Sequence, residues 1–197
     1  MAELAQAIEA PSPRRGRPAG ALAWEQAPAS LRQARGRRVA RELVELSRLQ
    51  NGGEHADLQP LDLAALLRTI CADYAGLQVE GPLRLPLVTD SRRLARIVFT
   101  LLDNAYLHGA PPVRVVYDAA QIRVEDSGGG FAPRVLARVA EPFVTGDRSH
   151  GRGVGLGLAI AARHARLFGA ELELSNAPAG GAVARLRLAC EPAPLAA

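Results

Sequence analysis

The sequence contains no lysine, so all 24 of its permanently cationic side chains are arginines. This bias is typical of coding in a GC-rich genome, and it means that an arginine alone is weak evidence for a contact. The net charge of +4 is a modest excess that favours anionic partners. Aromatic residues are also scarce, at 4%, and they do not interleave with a basic run, so the composition disfavours nucleic-acid binding.

Cysteine occurs twice, at Cys71 and Cys190, and neither residue has a C-x-x-C neighbour. This spacing excludes a disulfide framework and gives no support to a zinc site, so both cysteines are predicted to lie in the core. The sequence also lacks an apolar run of about 18 residues and an apolar leader at its start. These absences predict a soluble, cytoplasmic chain without a membrane-spanning segment.

With 197 residues, 48% of them apolar, the chain can form one ordinary domain with an appended arm. Residues 1–30 show little periodicity, which predicts a flexible arm. We predict an amphipathic helix within residues 31–56, a globular domain over 57–191 and a tail at 192–197.

The helix predicted over Leu31–Gln50 carries an apolar stripe at helical spacing, formed by Val39, Leu43, Leu46 and Leu49. A single amphipathic helix must bury such a stripe, either on its own domain or on a second copy of the chain. We favour the second copy, which predicts a homodimer through this helix.

Periodicity in the globular domain predicts a mixture of helices and strands. Helices are expected over 62–75, 91–108 and 156–168, with a single helical turn in the loop at 133–153. Strands are expected over 77–88, 113–118, 122–126, 171–175 and 182–190. The pattern predicts an α+β fold, a two-layer sandwich in which helices cover one face of a mixed sheet.

Asp126 is the most informative residue of the predicted sheet. Alternation along its strand places Asp126 on the same face as Ile122 and Val124, the face turned to the core. A buried carboxylate needs a donor, which the amino group of adenine would supply, and the glycines at 128–130 would let a flat base approach the backbone. The alternative is a buried aspartate that caps a glycine turn.

A second glycine-rich segment, GRGVGLGLAI at Gly151–Ile160, runs into a predicted helix. The amides and dipole at a helix N-terminus can hold anionic phosphates, and Arg148 and Arg152 add positive charge nearby. Without the first glycine segment, this one would be an ordinary loop before a helix.

The helix that ends at Gly109 carries Thr100, Asn104 and His108 on one face, away from its leucine stripe. The side-chain carbonyl of Asn104 could bind a hard cation that bridges phosphates, as magnesium does. The alternative is an asparagine that makes hydrogen bonds at the end of a helix.

These segments resemble the motifs of the ATP-binding domain of bacterial sensor histidine kinases, a branch of the GHKL fold shared with gyrase and mismatch-repair ATPases. TLLDNAYLHG resembles the N box of these kinases, and VEDSGGGF resembles their first glycine box. EPF resembles the F box, and GRGVGLGLAI resembles the second glycine box. GGAVARLRL resembles the closing strand, and the resemblance covers Leu61 to Cys190.

The resemblance implies a site for ATP, with Asn104 on magnesium, Asp126 on adenine, and transfer of the γ-phosphoryl group to a histidine. No residue is assigned a catalytic role. The nucleotide-binding residues it implies are Asn104, His108, Asp126, Gly128, Gly130, Arg148, Arg152, Gly153, Val154, Gly155, Leu156 and Gly157.

The segment RELVELSRLQNG at Arg41–Gly52 resembles the second helix of the dimerisation and phosphoacceptor hairpin of these kinases. The resemblance implies a homodimer through Leu31–Gln50. It also implies a response regulator or a histidine-bearing kinase as a further partner.

The chain departs from the kinase pattern in three places. The phosphoacceptor histidine of the family would fall within residues 1–30, which contain no histidine, and none of the four histidines of the chain occupies the expected motif. Thr100 stands where an asparagine or an acidic base is common, and Leu107 where a lysine is common. Threonine is a poor general base at neutral pH, so hydrolysis of the gyrase type loses its main support.

Three functions therefore stay open at the level of sequence. The first is a kinase whose acceptor histidine lies in trans or on a missing segment. The second is a pseudokinase-like regulator that binds ATP without transferring phosphate, or a gene fragment. The third, a serine kinase of the anti-sigma type, is disfavoured by the hairpin-like helix and by Thr100.

Overall fold

A computed structural model describes residues 29–52, 54–145 and 154–189, and their side chains from residue 36 onward. The predicted tail, nearly all of the predicted arm and Cys190 lie outside these ranges. Arg148, and Arg152 and Gly153 of the second glycine segment, also lie outside them.

The described residues form five helices and seven strands. The helices are α1 (Ala29–Gln50), α2 (Leu63–Cys71), α3 (Ser91–His108), α4 (Pro133–Leu136) and α5 (Gly157–Leu167). The strands are β1 (Gln59–Asp62), β2 (Gln78–Glu80), β3 (Pro86–Thr89), β4 (Arg114–Tyr117), β5 (Gln121–Glu125), β6 (Glu171–Asn176) and β7 (Ala182–Arg187).

Five of the strands form a mixed sheet in the order β2-β4-β5-β7-β6, and β1 and β3 form a separate antiparallel pair. Strand β2 runs parallel to β4, whereas the other pairs of the large sheet are antiparallel. Side chains alternate along β4, β5 and β7, so that one face of the sheet is buried and the other carries ion pairs such as Arg185–Glu173. The predicted α+β sandwich is confirmed.

Helix α3 supplies the centre of the core because its predicted stripe is buried along its whole length. The stripe residues, each at most 5% exposed, are Leu94, Ile97, Val98, Leu101, Leu102 and Ala105. Asp90 caps the helix as predicted, since its carboxylate accepts a hydrogen bond from the backbone N–H of Arg93 at 3.0 Å. The same carboxylate accepts a hydrogen bond from the backbone N–H of Asp57, which connects the segment between α1 and β1 to α3.

The prediction of one strand over 77–88 is wrong, because this stretch forms two strands in different sheets. A turn at Gly81 and Pro82 separates β2 from β3. A Cβ atom on Gly81 would lie 2.5 Å from the ring of Tyr117, and the Tyr117 hydroxyl donates to the carbonyl of Pro82 at 2.7 Å. The turn therefore closes over an aromatic side chain, which the apolar pattern alone does not reveal.

Helix α2 ends at Cys71, earlier than the predicted Ala75, and Cys71 is buried as predicted. Asp62 caps the start of α2 and also accepts a hydrogen bond from the backbone N–H of Leu85 at 2.9 Å. The hydrogen bond from Leu85 is the main reason why the pKa of Asp62 is lowered.

We expected a second copy of the chain to bury the apolar stripe of α1. This expectation is wrong for the C-terminal half of the helix. Leu46 is 5% exposed and packs against Leu156 and Ile160 of the same chain, with Leu49 beside them. Leu43 remains 41% exposed. No helix in the described ranges is long and apolar enough to cross a membrane.

Candidate functional site

A cavity of about 1130 Å³ opens between α1, α3, the start of α5 and the segment that follows β5. Its size is that of a site for a small-molecule ligand. The predicted nucleotide-binding residues that line it are Asn104, His108, Asp126, Gly130, Val154, Gly155, Leu156 and Gly157. Gly128 is the one described member of the predicted set that does not line the cavity.

Asp126 lies at the cavity, one residue beyond the end of β5, and is half-buried. Its Oδ1 atom accepts hydrogen bonds from the backbone N–H groups of Gly128 at 2.8 Å and Ala182 at 3.4 Å. Among the described residues, no cation pairs with this carboxylate and no donor reaches its Oδ2 atom. One oxygen therefore caps the glycine turn, as the alternative interpretation expected, while the other has no donor among the described residues.

Glycines fix the position of the Asp126 carboxylate. A Cβ atom on Gly109 would overlap that carboxylate, and a Cβ atom on Gly128 would lie 2.9 Å from the Cα atom of Gly109. Gly181, at φ +97°, lies against the carbonyl oxygen of Asp126. Gly128 therefore serves close packing, and the contribution of Gly109 and Gly181 to the site was missed from the sequence.

Asn104 has a buried side-chain nitrogen without a hydrogen-bond partner among the described residues. Because the two ends of an amide are assigned from their surroundings, this means that one end of the Asn104 amide is unsatisfied at the cavity. One turn earlier, the Thr100 hydroxyl donates to the carbonyl of Arg96 at 2.9 Å and is committed to the helix backbone.

The side chains that line the cavity fit a metal ion that takes most of its ligands from phosphate oxygens and water. The described residues contain no group of three or more His, Cys, Asp or Glu side chains that could hold a metal ion by themselves. An amide oxygen from Asn104 could supply one ligand to Mg²⁺, which usually takes few protein ligands and completes its shell with water and phosphate oxygens.

The two described segments that flank residues 146–153 meet at Val144 and Gly155. The backbone N–H of Phe143 donates to the carbonyl of Gly155 at 2.9 Å. Gly155 has φ +76°, and a Cβ atom there would lie 2.5 Å from the carbonyl oxygen of Val144. Only glycine fits this approach, which brings Val144, Gly155 and Leu156 together at the cavity wall.

The cavity wall also includes α1, whose residues the sequence did not place at the site. Arg38, Arg41, Glu42 and Glu45 all line the cavity, and Glu42 is 8% exposed. Three of them belong to the hairpin-like segment Arg41–Gly52, which implied a dimer contact and not a place at this cavity. Their role depends on how α1 lies against α5, which is a tertiary contact.

Glu45 and His164 connect α1 to α5. The His164 Nε2 atom lies 2.8 Å from Glu45 Oε1, and its Nδ1 atom lies 3.0 Å from Arg93 Nη1. A guanidinium can only donate, so Nδ1 accepts and Nε2 carries the proton that is donated to Glu45. His164 is 6% exposed and joins two elements of the fold, which no motif of the sequence indicated.

Comparison with known proteins identifies the family of this chain. The sequence profile of the histidine kinase-, DNA gyrase B- and HSP90-like ATPases matches residues 89–192. The chain belongs to this ATPase family. Within the family, the resemblance to the ATP-binding catalytic domains of bacterial sensor histidine kinases is confirmed.

Two kinds of relatives support this membership of the ATPase family. The chain is 41% identical to the sensor protein CseC of Streptomyces avermitilis, over 77% of this chain and 34% of that protein. It is 32% identical to the solved ATP-binding domain of PrrB from Mycobacterium tuberculosis, with a TM-score of 0.53 over 70% of this chain and 98% of that one. The histidine kinase domain of the Escherichia coli osmosensor EnvZ is 27% identical, with a TM-score of 0.53, over 74% of this chain and 94% of that one. The chain therefore spans about a third of the curated sensor protein.

The contact between Glu45 and His164 in this ATPase domain predicts a pH dependence of stability. Burial by itself would raise the pKa of Glu45, but hydrogen bonds from His164 and Arg96 and the charge of Arg96 outweigh burial and lower the pKa to about 2. A depressed carboxyl pKa stabilises the folded state above the ordinary value of 4.5, and this contribution is lost as the pH falls towards about 2. We expect Glu45→Gln to reduce the free energy of unfolding at pH 7 by about 1–2 kcal/mol.

The measurement is urea unfolding of the wild type and of Glu45→Gln at pH 7 and at pH 3. The difference in the free energy of unfolding between the two proteins should be smaller at pH 3 than at pH 7. Glu80→Gln is the control, because Glu80 pairs with Arg114 on the surface and its side chain is 54% exposed. A difference between wild type and Glu45→Gln that is the same at both pH values would contradict the assignment.

Proposed function

We propose that the cavity binds Mg-ATP and that the domain transfers the γ-phosphoryl group to a histidine, as the catalytic part of a two-component sensor kinase. The observation that carries the proposal is the Asp126 carboxylate, with one oxygen committed to the glycine turn and the other without a donor at the cavity. That free oxygen would accept a hydrogen bond from the adenine amino group, and Gly130 would lie against the base. Similarity to the sensor protein CseC and to the ATP-binding domain of PrrB supports a sensor protein that binds ATP.

The phosphate end of ATP would lie at the start of α5. Gly155, Leu156 and Gly157 line the cavity there, and the N-terminal amides of α5 can hold anionic oxygens. Arg148, Arg152 and Gly153 are proposed to complete this part of the site. Asn104 would hold Mg²⁺, which when bound offsets the negative charge of the phosphates.

In the reaction, an imidazole nitrogen of the acceptor histidine attacks the γ-phosphorus, and the bond from that phosphorus to the bridging oxygen breaks. ADP leaves, and the imidazole proton passes to water. Because this chemistry depends mainly on positioning and charge, the residues of the cavity need only orient the triphosphate and keep water from attacking the γ-phosphorus. Thr100, committed to the backbone, is not proposed as a base.

The acceptor histidine is proposed to come from outside these 197 residues, on another chain or on another part of a longer polypeptide. Residues 57–191 would be the ATP-binding unit, and residues 31–56 would be the second helix of a dimerisation hairpin that forms a homodimer. A response regulator would receive the phosphoryl group in the cytoplasm. His164 is engaged with Glu45 and Arg93 and is not a candidate acceptor.

A transfer experiment tests the proposal. The protein is incubated with γ-labelled ATP and magnesium, with and without a hairpin from a related kinase that carries its acceptor histidine. We expect acid-labile, base-stable label on the hairpin, and no label on a hairpin whose histidine is replaced by glutamine. Tight ATP binding without label on any hairpin would instead support a regulator that binds ATP but does not transfer phosphate.

A further inference from the structure

Helix α1 brings arginines to the cavity that the sequence did not place there. Four described arginines line the cavity, namely Arg38, Arg41, Arg96 and Arg138. Three of them are paired with carboxylates, as Arg38 with Glu42 at 3.0 Å, Arg96 with Glu45 at 2.9 Å, and Arg138 with Glu141. Arg41 has no ion-pair partner among the described residues, although it lines the same cavity.

The position of α1 places Arg41 near the phosphate end of the proposed site. Leu46 packs against Leu156, the residue that precedes α5, and against Ile160 in the first turn of α5. Arg41 and Glu42 lie about one turn before Leu46 on the same helix and line the cavity. Arg41 therefore lines the same cavity as the helix N-terminus that would receive the phosphates.

The wall formed by α3, all of which is described, offers no unpaired arginine to the cavity, because Arg96 is paired with Glu45. Thr100 and Leu107 both line it, and neither can balance the charge of a triphosphate. Arginine is suited to phosphate because its planar group donates several hydrogen bonds to the phosphate oxygens. A cation from α1 would supply what α3 does not.

We propose that Arg41, with Arg38 beside it, binds the terminal phosphates of ATP when α1 is docked on α5. This inference rests on the proposed function of the cavity. Glu42 orients Arg38 through their ion pair, and the contact of Leu46 with α5 is what brings both arginines to the site. The helix that resembles a dimerisation helix thus completes the nucleotide site.

The test measures the dissociation constants of ATP, ADP and AMP, each with magnesium, by isothermal titration. We expect Arg41→Ala to weaken ATP binding by about tenfold, to weaken ADP binding by much less and to leave AMP unchanged. Arg37→Ala is the matched control, because Arg37 is exposed on the same helix and does not line the cavity. Arg41→Lys should restore part of the affinity for ATP.

A second variant tests the requirement for docking. Leu46→Asp should undock α1 and cause the same selective loss of ATP affinity, and adding Arg41→Ala to it should cause no further loss. A further loss in the double variant would overturn the docked arrangement. Equal losses for ATP, ADP and AMP in Arg41→Ala, or no loss, would overturn the phosphate contact.

The outcomes separate this inference from the proposed function. If the wild type binds ATP and Arg41→Ala binds it equally well, the contact from α1 is wrong and the nucleotide site stands. If the wild type binds none of the three nucleotides, both proposals fall together.

Discussion

Replacing Asp126 with alanine should weaken ATP binding by at least tenfold. The substitution removes the carboxylate that is proposed to accept a hydrogen bond from the adenine amino group. Loss of a hydrogen bond to a charged acceptor costs about 1.5–3 kcal/mol, or about 10- to 150-fold in affinity. The alanine substitution also removes the acceptor for the Gly128 N–H, which caps the glycine turn, so the turn loosens as well.

Asp126→Asn separates these two losses. An asparagine oxygen can still accept from the backbone N–H of Gly128, so thermal stability should stay close to that of the wild type. The other end of the amide is then a donor facing the adenine amino group, which is also a donor, so affinity should still fall by at least tenfold. Titration calorimetry and thermal unfolding on the same samples measure both quantities. Wild-type affinity in Asp126→Asn would show that the carboxylate does not contact the base.

Asn104→Ala should remove the magnesium dependence of ATP binding. The wild type should bind ATP at least tenfold more tightly with Mg²⁺ than with a chelator present, because the proposed metal bridges Asn104 and the phosphates. In Asn104→Ala the two affinities should be nearly equal, and close to the affinity of the wild type without metal. The physical basis is the unsatisfied end of the Asn104 amide at the cavity.

Thr100→Val is the matched control for Asn104→Ala. Thr100 lies one turn earlier on α3 and lines the same cavity, but its hydroxyl is bonded to the carbonyl of Arg96. Valine has nearly the same shape, so the magnesium dependence should remain. Undiminished magnesium dependence in Asn104→Ala would mean that the metal has other ligands.

Local patterns predicted the helix layer and most strands of this domain. Helix α3 has a stripe that repeats with helical spacing and an aspartate cap, and both features depend only on near neighbours in the sequence. The face that carries Asn104 follows from that stripe. The alternation of its strand predicted that Asp126 faces the core, where a ligand could bind its carboxylate. The hydrogen bonds from Gly128 and Ala182 to that carboxylate were not predicted.

The features that were missed depend on contacts between segments that are distant in sequence. The turn at Gly81 forms because Tyr117, on another strand, covers it. His164 has a role only because Glu45 of α1 and Arg93 of α3 meet it from two other helices. An apolar stripe on α1 shows that burial is needed, but it does not say whether its own chain or a second copy provides the cover.

Helix α3 carries two sets of side chains in a fixed angular relation. Its leucine stripe is locked into the core, and Thr100, Asn104 and His108 reach the cavity from the same helix. Inserting one residue between them would rotate everything that follows by about 100° and shift it by about 1.5 Å. Either the core or the cavity would then receive the wrong side chains, so evolution can alter the length of the loops around this helix much more freely than its own.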